Sequence, residues 1–280
     1  MESSTRRYAT WGVTALVVAT LTAVLLLLSA FANTPAASAR SSDHGASFAV
    51  RCDVSHRAPD DPIVHPGHAG MAHSHDFFGN TDTNHSSTYD TLREADTTCT
   101  RPEDTAAYWL PTVSWNGEVL DPNRAIFYYR TGGKNHKNVK PFPAELKVIA
   151  RNPKYVSWRC GRLDNGGGKP NPPRQCDNGE LGVRIVFPEC WDGRHLDSAD
   201  HSSHMAYSRL VRGKDRCPRS RPVPVPSLTM NVTFPIPRGT PGEVTLSSGP
   251  ASSMHADFFN AWDQNAPLNL NPPDGRSFGG

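Results

Sequence analysis

The sequence predicts a mostly β, sandwich-like single domain with long Pro/Gly-rich loops, one or two short helices and a disulfide framework. Three observations support this fold class. No segment keeps a sustained apolar period of 3.6 residues, whereas several short runs are rich in β-branched and aromatic residues. Pro, Gly and Asn bound those runs, as is typical of strands joined by turns. Six cysteines in a chain that begins with export features indicate disulfides.

The first 39 residues have the features of an export signal. Arg6 and Arg7 precede an apolar run from Trp11 to Ala32, and Ala37-Ser38-Ala39 offers a signal-peptidase site, with Ala30-Phe31-Ala32 as a second candidate. The run approaches the roughly 20 apolar residues that span a bilayer, so an uncleaved anchor is the alternative. We therefore expect a secreted or extracellular protein, or one anchored to the membrane by this segment.

The rest of the chain is expected to form one β-rich domain at residues 40–265 and a loose C-terminal tail at residues 266–280. The formal net charge of the whole chain is +2, and losing Glu2, Arg6 and Arg7 with the signal leaves +1. So small a charge creates no field that attracts a polyanion. Nucleic acid is therefore not an expected partner, and membrane contact is expected only through the N-terminal segment.

The cysteines all follow the signal and are even in number, which in an exported chain favours three disulfides. Zinc is the alternative, but no Cys-x-x-Cys pair is present and thiolates would be oxidised in that compartment. Because short loops close most readily, the predicted pairs are Cys52 with Cys99, Cys160 with Cys176, and Cys190 with Cys217.

The elements follow from the local pattern in chain order. The alternating or continuous apolar runs predict strands at Ser47 to Asp53, Leu110 to Trp115, Ala125 to Arg130, Leu146 to Ala150, Tyr155 to Cys160, Gly182 to Phe187, Leu228 to Phe234 and Glu243 to Leu246. One helix is expected to run to Ala95, with Ser86 or Ser87 as its N-cap.

Histidine is the residue type most unevenly placed, since five of the twelve lie between residues 56 and 75. In His73-Ser74-His75 the two histidines are two apart, so an extended backbone puts both imidazoles on one face. His201-Ser202-Ser203-His204 would converge only in a helical turn. His255-Ala256-Asp257 again places two polar groups on one side of a strand.

These residues form the candidate catalytic set, which is His73, His75, His201, His204, His255 and Asp257. Histidine titrates near working pH, so they could perform general acid/base catalysis without a metal. Alternatively, His73, His75, His201 and His204 could bind a divalent metal such as zinc, copper or manganese through neutral imidazoles. Any one of these pairs taken alone is more often a plain surface feature. Other catalytic signatures are absent, including Gly-x-Ser-x-Gly and His-Glu-x-x-His.

Two tryptophans lie beside polar clusters, and exposed indoles there would provide stacking surfaces for sugar rings. The candidate substrate-binding residues are therefore Trp191 with Asp192 and Trp262 with Asn260. Core packing is the more common fate of a tryptophan.

Several motifs together resemble the domain-of-unknown-function family numbered nineteen ninety-six. They cover about residues 50 to 265 and include His73-Ser74-His75-Asp76-Phe77-Phe78-Gly79, Phe187-Pro188-Glu189-Cys190-Trp191-Asp192-Gly193, Asp200-His201-Ser202-Ser203-His204 and His255-Ala256-Asp257-Phe258-Phe259-Asn260-Ala261-Trp262. The family's usual His-Val-His is His73-Ser74-His75 here, which keeps both imidazoles. The resemblance implies an exported protein of bacteria or filamentous fungi, associated by analogy with cell walls or polysaccharides. The family name assigns no activity.

We therefore expect an enzyme that hydrolyses or eliminates a polysaccharide or cell-wall glycan, with its histidine site at one end of a β-sandwich. A non-catalytic wall or glycan-binding protein is one alternative, in which the histidines only satisfy buried hydrogen bonds. An exported metal-binding protein without a substrate is the other.

Overall fold

The computed structural model describes residues 47–131, 139–163 and 167–265. The predicted signal and the predicted tail lie outside the described residues. In the described ranges, no helix is both long and apolar enough to cross a membrane.

The described chain is built almost entirely from short strands. They are β1 (Ser47–Cys52), β2 (Val54–Ala58), β3 (His75–Gly79), β4 (Ala107–Pro111), β5 (Val113–Trp115), β6 (Glu118–Val119), β7 (Arg124–Arg130), β8 (Lys147–Ala150), β9 (Val156–Cys160), β10 (Glu180–Val186), β11 (Cys190–Trp191), β12 (Met205–Ala206), β13 (Arg209–Val211), β14 (Lys214–Arg216), β15 (Val223–Pro224), β16 (Ser227–Pro235), β17 (Val244–Leu246), β18 (Gly249–Pro250) and β19 (Ala256–Phe259). Among the described residues, helical structure is limited to α1 (Tyr89–Glu94) and 3-10 turns at Pro153–Tyr155 and Ala251–Ser253.

Two five-stranded antiparallel sheets form the body of the fold. The first has the strand order β1-β7-β16-β10-β9 and the second has the order β2-β3-β4-β19-β8. Both contribute side chains to one large buried cluster, including Phe127 and Val232 from the first sheet and Tyr108 and Phe258 from the second. The ring centroids of Tyr108 and Phe127 lie 3.9 Å apart across this core. The mostly β, sandwich-like prediction is confirmed, because the two inner faces share one core.

The second sheet also buries part of its outer face. Phe77 of β3, Trp109 of β4, Ile149 of β8 and Phe259 of β19 form a smaller apolar cluster. Their direct chain neighbours, such as Phe78 and Phe258, point into the main core. This two-residue alternation is expected when both faces of a strand are covered. Ile63 and Leu92 complete the smaller cluster, so the segment around residue 63 and helix α1 cover the outer face.

The eight predicted strands are all present, with one split and small shifts at their ends. The run predicted from Leu110 to Trp115 is divided between β4 and β5, which belong to different sheets. Thr112 lies between them and donates its amide proton to the carbonyl of Ser74 at 3.0 Å. Strands β2, β3 and β19 were not in the predicted set, since they contain His, Asp or Arg where local pattern favours loops.

Helix α1 begins one or two residues later than predicted from Ser86 or Ser87 as the N-cap. The N-cap is Thr88, whose hydroxyl accepts from the Thr91 amide while the Thr91 hydroxyl accepts from the Thr88 amide. The Ser87 hydroxyl instead accepts from the amide of Asn84 at 2.9 Å. Ser87 is therefore used in the preceding turn, which leaves Thr88 to cap the helix.

The three predicted disulfides are confirmed. The structure joins Cys52 to Cys99, Cys160 to Cys176 and Cys190 to Cys217, and no described cysteine is free. Three disulfides are typical of proteins that fold in an oxidising compartment.

Candidate functional site

Three histidines from two distant segments meet on the outer face of the second sheet. His73 and His75 share the strand face of Phe77, and His255 and Asp257 share the face of Phe259. His75 begins β3 opposite Pro111 at the end of β4, while Ala256 begins β19 opposite Ala150 at the end of β8. The antiparallel register therefore brings both histidine segments to the same end of the sheet.

The three imidazoles are close enough to share one ligand. The ring centroids are 4.3 Å apart for His73 and His75, 5.1 Å for His73 and His255, and 5.9 Å for His75 and His255. One ring nitrogen from each lies within 4.8 Å of the corresponding nitrogens of the other two. Such a spacing is short enough for one metal ion to bind all three at Zn–N distances of about 2.0–2.1 Å after small adjustments.

Backbone carbonyls determine which ring nitrogens are available. The Nδ1 atom of His75 lies 2.9 Å from the carbonyl oxygen of Asp60, and Nδ1 of His255 lies 2.9 Å from that of Ser253. A carbonyl oxygen can only accept, so Nδ1 donates its proton in both residues and Nε2 keeps a lone pair. Metal-binding histidines are commonly oriented in this way by a second hydrogen bond.

Two of the histidine Nε2 atoms are buried without a partner. Among the described residues, nothing forms a hydrogen bond with Nε2 of His73 or with Nε2 of His75. Buried polar atoms are rarely left unpaired in folded proteins, because each unpaired atom loses its hydrogen bonds to water without replacement. The two unpaired Nε2 atoms are therefore available to a water molecule, a substrate group or a metal ion.

The surroundings keep these histidines neutral. Burial lowers the pKa of His73 to about 4, with a further contribution from the nearby His255. Burial and the neighbouring His73 and His255 lower the pKa of His75 to about 2. Burial also lowers the pKa of His255, against the opposing effect of its bond to Ser253. Neutral imidazole is the form that binds a metal.

Asp257 places a buried carboxylate beside the three histidines. Its Oδ2 lies 3.8 Å from Nε2 of His255, and its side chain is 1% exposed. Neither carboxylate oxygen has a hydrogen-bond partner in the described part of the chain. Burial, together with the nearby Asp61, raises the pKa of Asp257 well above its usual value, and Arg151 opposes that rise. A bound cation would favour the ionised carboxylate.

A small cavity of about 170 Å³ opens onto the cluster. Its polar lining residues are Asp61, His65, His73, Arg151, His255 and Asp257. Asp61 is buried, and its Oδ1 accepts from the amides of Ile63 and Val64 at 2.8 Å each. Burial raises the pKa of Asp61, although these amide bonds act in the opposite direction. The cavity therefore combines imidazole nitrogens, two carboxyl groups and an exposed arginine.

His201 and His204 do not belong to this group of nitrogens. His204 is 1% exposed and both its ring nitrogens are engaged, Nε2 with the carbonyl of Lys147 at 2.7 Å and Nδ1 with the Ser198 hydroxyl at 2.9 Å. Nδ1 of His201 lies 3.0 Å from both carboxylate oxygens of Asp197. These contacts attach the loop at residues 197–204 to β8 and leave no free nitrogen on His204.

The four predicted substrate-binding residues lie elsewhere. Trp262 is 1% exposed, and its Nε1 donates to the hydroxyl of Tyr129 at 2.9 Å inside the core. Asn260 is buried, and its amide donates to the carbonyls of Phe142 and Pro143. Trp191 donates Nε1 to the carbonyl of His195 at 2.7 Å, and Asp192 contacts the His195 ring at 2.6 Å. Trp262 and Asn260 thus have no surface to offer a sugar ring.

Three residues of the cavity were not predicted from the sequence. Arg151 directly follows β8 and lies two residues after Ile149. Strand alternation would therefore have placed both on the same face if the predicted strand had been extended by one residue. His65 belongs to the run of five histidines between residues 56 and 75, but neither its spacing nor that of Asp61 indicates a shared face with His73.

A larger cavity of about 780 Å³ lies against Trp158 and the loop at residues 167–173. Its described lining is mainly glycine and proline, with Arg159 and Lys169 as the charged groups. No cluster of metal-binding or acid/base side chains faces it among the described residues. The histidine cluster therefore remains the candidate site, although its cavity is smaller.

Comparison with known proteins identifies a family without assigning an activity. No curated protein and no solved structure matches the chain significantly. The model of the family described as Domain of unknown function (DUF1996) matches residues 61–262, from Asp61 of the cavity to Trp262 of the core. This span is more than half of the chain and includes every residue of the histidine cluster. The chain therefore belongs to the DUF1996 family.

Proposed function

We propose that this chain is an exported metalloenzyme in which His73, His75 and His255 bind one divalent transition-metal ion. One observation carries the proposal: three neutral imidazoles hold nitrogens within 4.8 Å of one another, and two of those rings have a buried, unpaired Nε2. Histidine nitrogens with a nearby carboxylate suit zinc, copper or manganese. His201 and His204 are not included as ligands.

The ligand set is that of a catalytic site more than a structural one. Structural zinc sites are closed by four protein ligands, whereas catalytic sites keep three and leave one position open. Here two of the three proposed ligands, His73 and His255, line a cavity that opens to solvent. A zinc ion held there would supply a bound water with a pKa of about 7. Asp257 lies 3.8 Å from His255 and could accept the proton of that water or bind the metal directly.

The proposed reaction is hydrolysis, and the proposed substrate is a component of a cell-wall polysaccharide. The export features of the first 39 residues and the three disulfides support action outside the cell. Lowered pKa values of His73 and His75 disfavour either as a general acid at neutral pH, since both are already deprotonated there.

Elemental mass spectrometry of the secreted, untagged protein tests the proposal. The comparison uses the wild type, the His73→Ala/His75→Ala double variant and His195→Ala, whose exposed imidazole contacts Asp192 and lies outside the histidine cluster. We expect about one metal ion per chain in the wild type and in His195→Ala, and none in the double variant. Circular dichroism and thermal melting check that all three are folded.

A wild-type protein that stays metal-free after incubation with zinc, copper and manganese salts would refute the proposal. A folded double variant that retains a full equivalent of metal would refute the ligand assignment.

A further inference from the structure

We propose that the cavity over the histidine cluster binds a molecule that carries a carboxylate group. That carboxylate would lie between the bound metal and the guanidinium of Arg151. This inference rests on the proposed metal site and specifies the class of ligand that the site accepts.

Arg151 is positioned and available for such a contact. It lines the same cavity as His73, His255 and Asp257. One guanidinium nitrogen, Nη2, donates to the Ser202 hydroxyl at 2.6 Å. The charge of Arg151 lowers the pKa of the nearby Asp257, but among the described residues no carboxylate lies within ion-pair distance of its guanidinium. A guanidinium has five N–H donors, and its fork matches the two oxygens of a carboxylate.

The loop at residues 197–204 fixes the direction of this guanidinium. The Ser202 hydroxyl, which accepts from Arg151, itself donates to the carbonyl of Asp200 at 3.1 Å. The Ser202 amide donates to the Asp200 carboxylate at 3.1 Å. Because Ser202 is held twice by Asp200, the arginine is pre-organised before a ligand arrives.

The charges in the cavity favour an anion with a single charge. Arg151 and a divalent metal are opposed by the carboxylates of Asp61 and Asp257, which line the same cavity. A carboxylate adds one negative charge beside these two acids, whereas phosphate adds up to two and is repelled more strongly.

The size of the cavity limits the ligand further. Pockets for drug-sized ligands usually enclose about 300 to 1,000 Å³. The cavity of about 170 Å³ accepts a small protruding group and excludes a run of sugar rings. The carboxylate could belong to an acidic sugar at a chain end or to a small organic acid, and the two sources share this chemistry.

Calorimetric titration of the metal-loaded, full-length secreted protein distinguishes these cases. The probes are galacturonate, galactose as its neutral counterpart, acetate and inorganic phosphate. The variants are Arg151→Gln and the control Arg209→Gln, an exposed arginine on β13. Metal content is measured for each protein. Arg151 is not a proposed metal ligand, so its replacement should leave the metal content unchanged.

We expect galacturonate to bind and galactose not to bind. Arg151→Gln should weaken galacturonate binding at least about tenfold, since it removes a charge-assisted hydrogen bond, whereas Arg209→Gln should not. Both variants should keep the wild-type metal content. Acetate binding as tightly as galacturonate would identify the carboxylate alone as the recognised group, and weaker acetate binding would identify an acidic sugar.

Three results would overturn the inference in a metal-containing protein: equal binding of galactose and galacturonate, tighter binding of phosphate than of either carboxylate, or unchanged galacturonate binding by Arg151→Gln. Absence of metal from the wild type would overturn the proposed function together with this inference, so the metal analysis separates the two failures.

Discussion

Replacing Asp257 by Asn should change stability and metal binding in opposite directions. The Asp257 side chain is 1% exposed, and within the described residues neither of its oxygens has a hydrogen-bond partner. Asparagine keeps the volume and removes the ionisable group. In the metal-free protein at pH 8 the variant should therefore be more stable, because the fold no longer buries an unpaired carboxylate.

The size of the effect follows from that burial. An unpaired buried polar group costs about 1–3 kcal/mol and a charged one costs more, so replacing the ionisable carboxyl by a neutral amide should recover an amount on the order of 1–3 kcal/mol. In a domain of this size, 1 kcal/mol shifts the melting temperature by about 2–4 °C. We expect metal-free Asp257→Asn to melt about 2–12 °C above the metal-free wild type. Metal affinity should fall at least about tenfold, as it does when a carboxylate beside a ligating histidine is lost.

Thermal melting of chelator-treated protein and competition titration with a metal indicator measure the two quantities. Asp82→Asn is the matched control, because Asp82 is exposed. A metal-free Asp257→Asn that melts below the wild type would contradict the burial argument. Unchanged metal affinity would show that Asp257 takes no part in the site.

Three other predictions concern the stability of the fold. Burial raises the pKa of Asp104 to about 8. Because a raised pKa in the folded state means that stability falls as pH rises, the wild type should lose about 1.4 kcal/mol per pH unit more than Asp104→Asn between about pH 4 and pH 8. If the unfolding free energies from denaturant titration fall equally with pH in both proteins, this prediction is wrong. Replacing Cys160 and Cys176 by Ser opens a disulfide with a sequence separation of 16 and should cost about 3 kcal/mol in urea denaturation; an unchanged midpoint would contradict it. His204→Ala should destabilise the protein by about 1–3 kcal/mol, because it leaves the Lys147 carbonyl unpaired. Elemental analysis should find the wild-type metal content in this variant. Loss of metal from the folded variant would show that His204 is a ligand.

The candidate site could be only partly predicted, because its residues come from segments that are far apart in the chain and meet on one sheet. The two-residue spacing of His73 and His75 predicts a common face, and although His73 lies just before β3, the two rings are 4.3 Å apart. The same argument applies to His255 and Asp257 before and within β19. Each pair is a local feature, since side-chain direction along a strand follows from the backbone of that strand alone.

Local pattern was less informative for His201 and His204. Three-residue spacing indicates a shared face only in a helical turn, whereas these residues lie in a loop between β11 and β12. Each imidazole there has its own partner, Asp197 for His201 and Lys147 with Ser198 for His204. A polar motif of this kind can hold a loop in place as readily as it can bind a ligand.

The sequence by itself determined the features that depend on neighbouring residues: the β class from strand alternation, the disulfide pairs from short loop closure, and the shared face of His73 and His75. Tertiary structure decided the rest. His75 and His255 are 180 residues apart in the chain, and they meet because β3, β4 and β19 pair in that order and in one register. Arg151 and Asp61 joined the same cavity for the same reason. Pairing between distant strands depends on how whole faces pack, and no local pattern of residues records it.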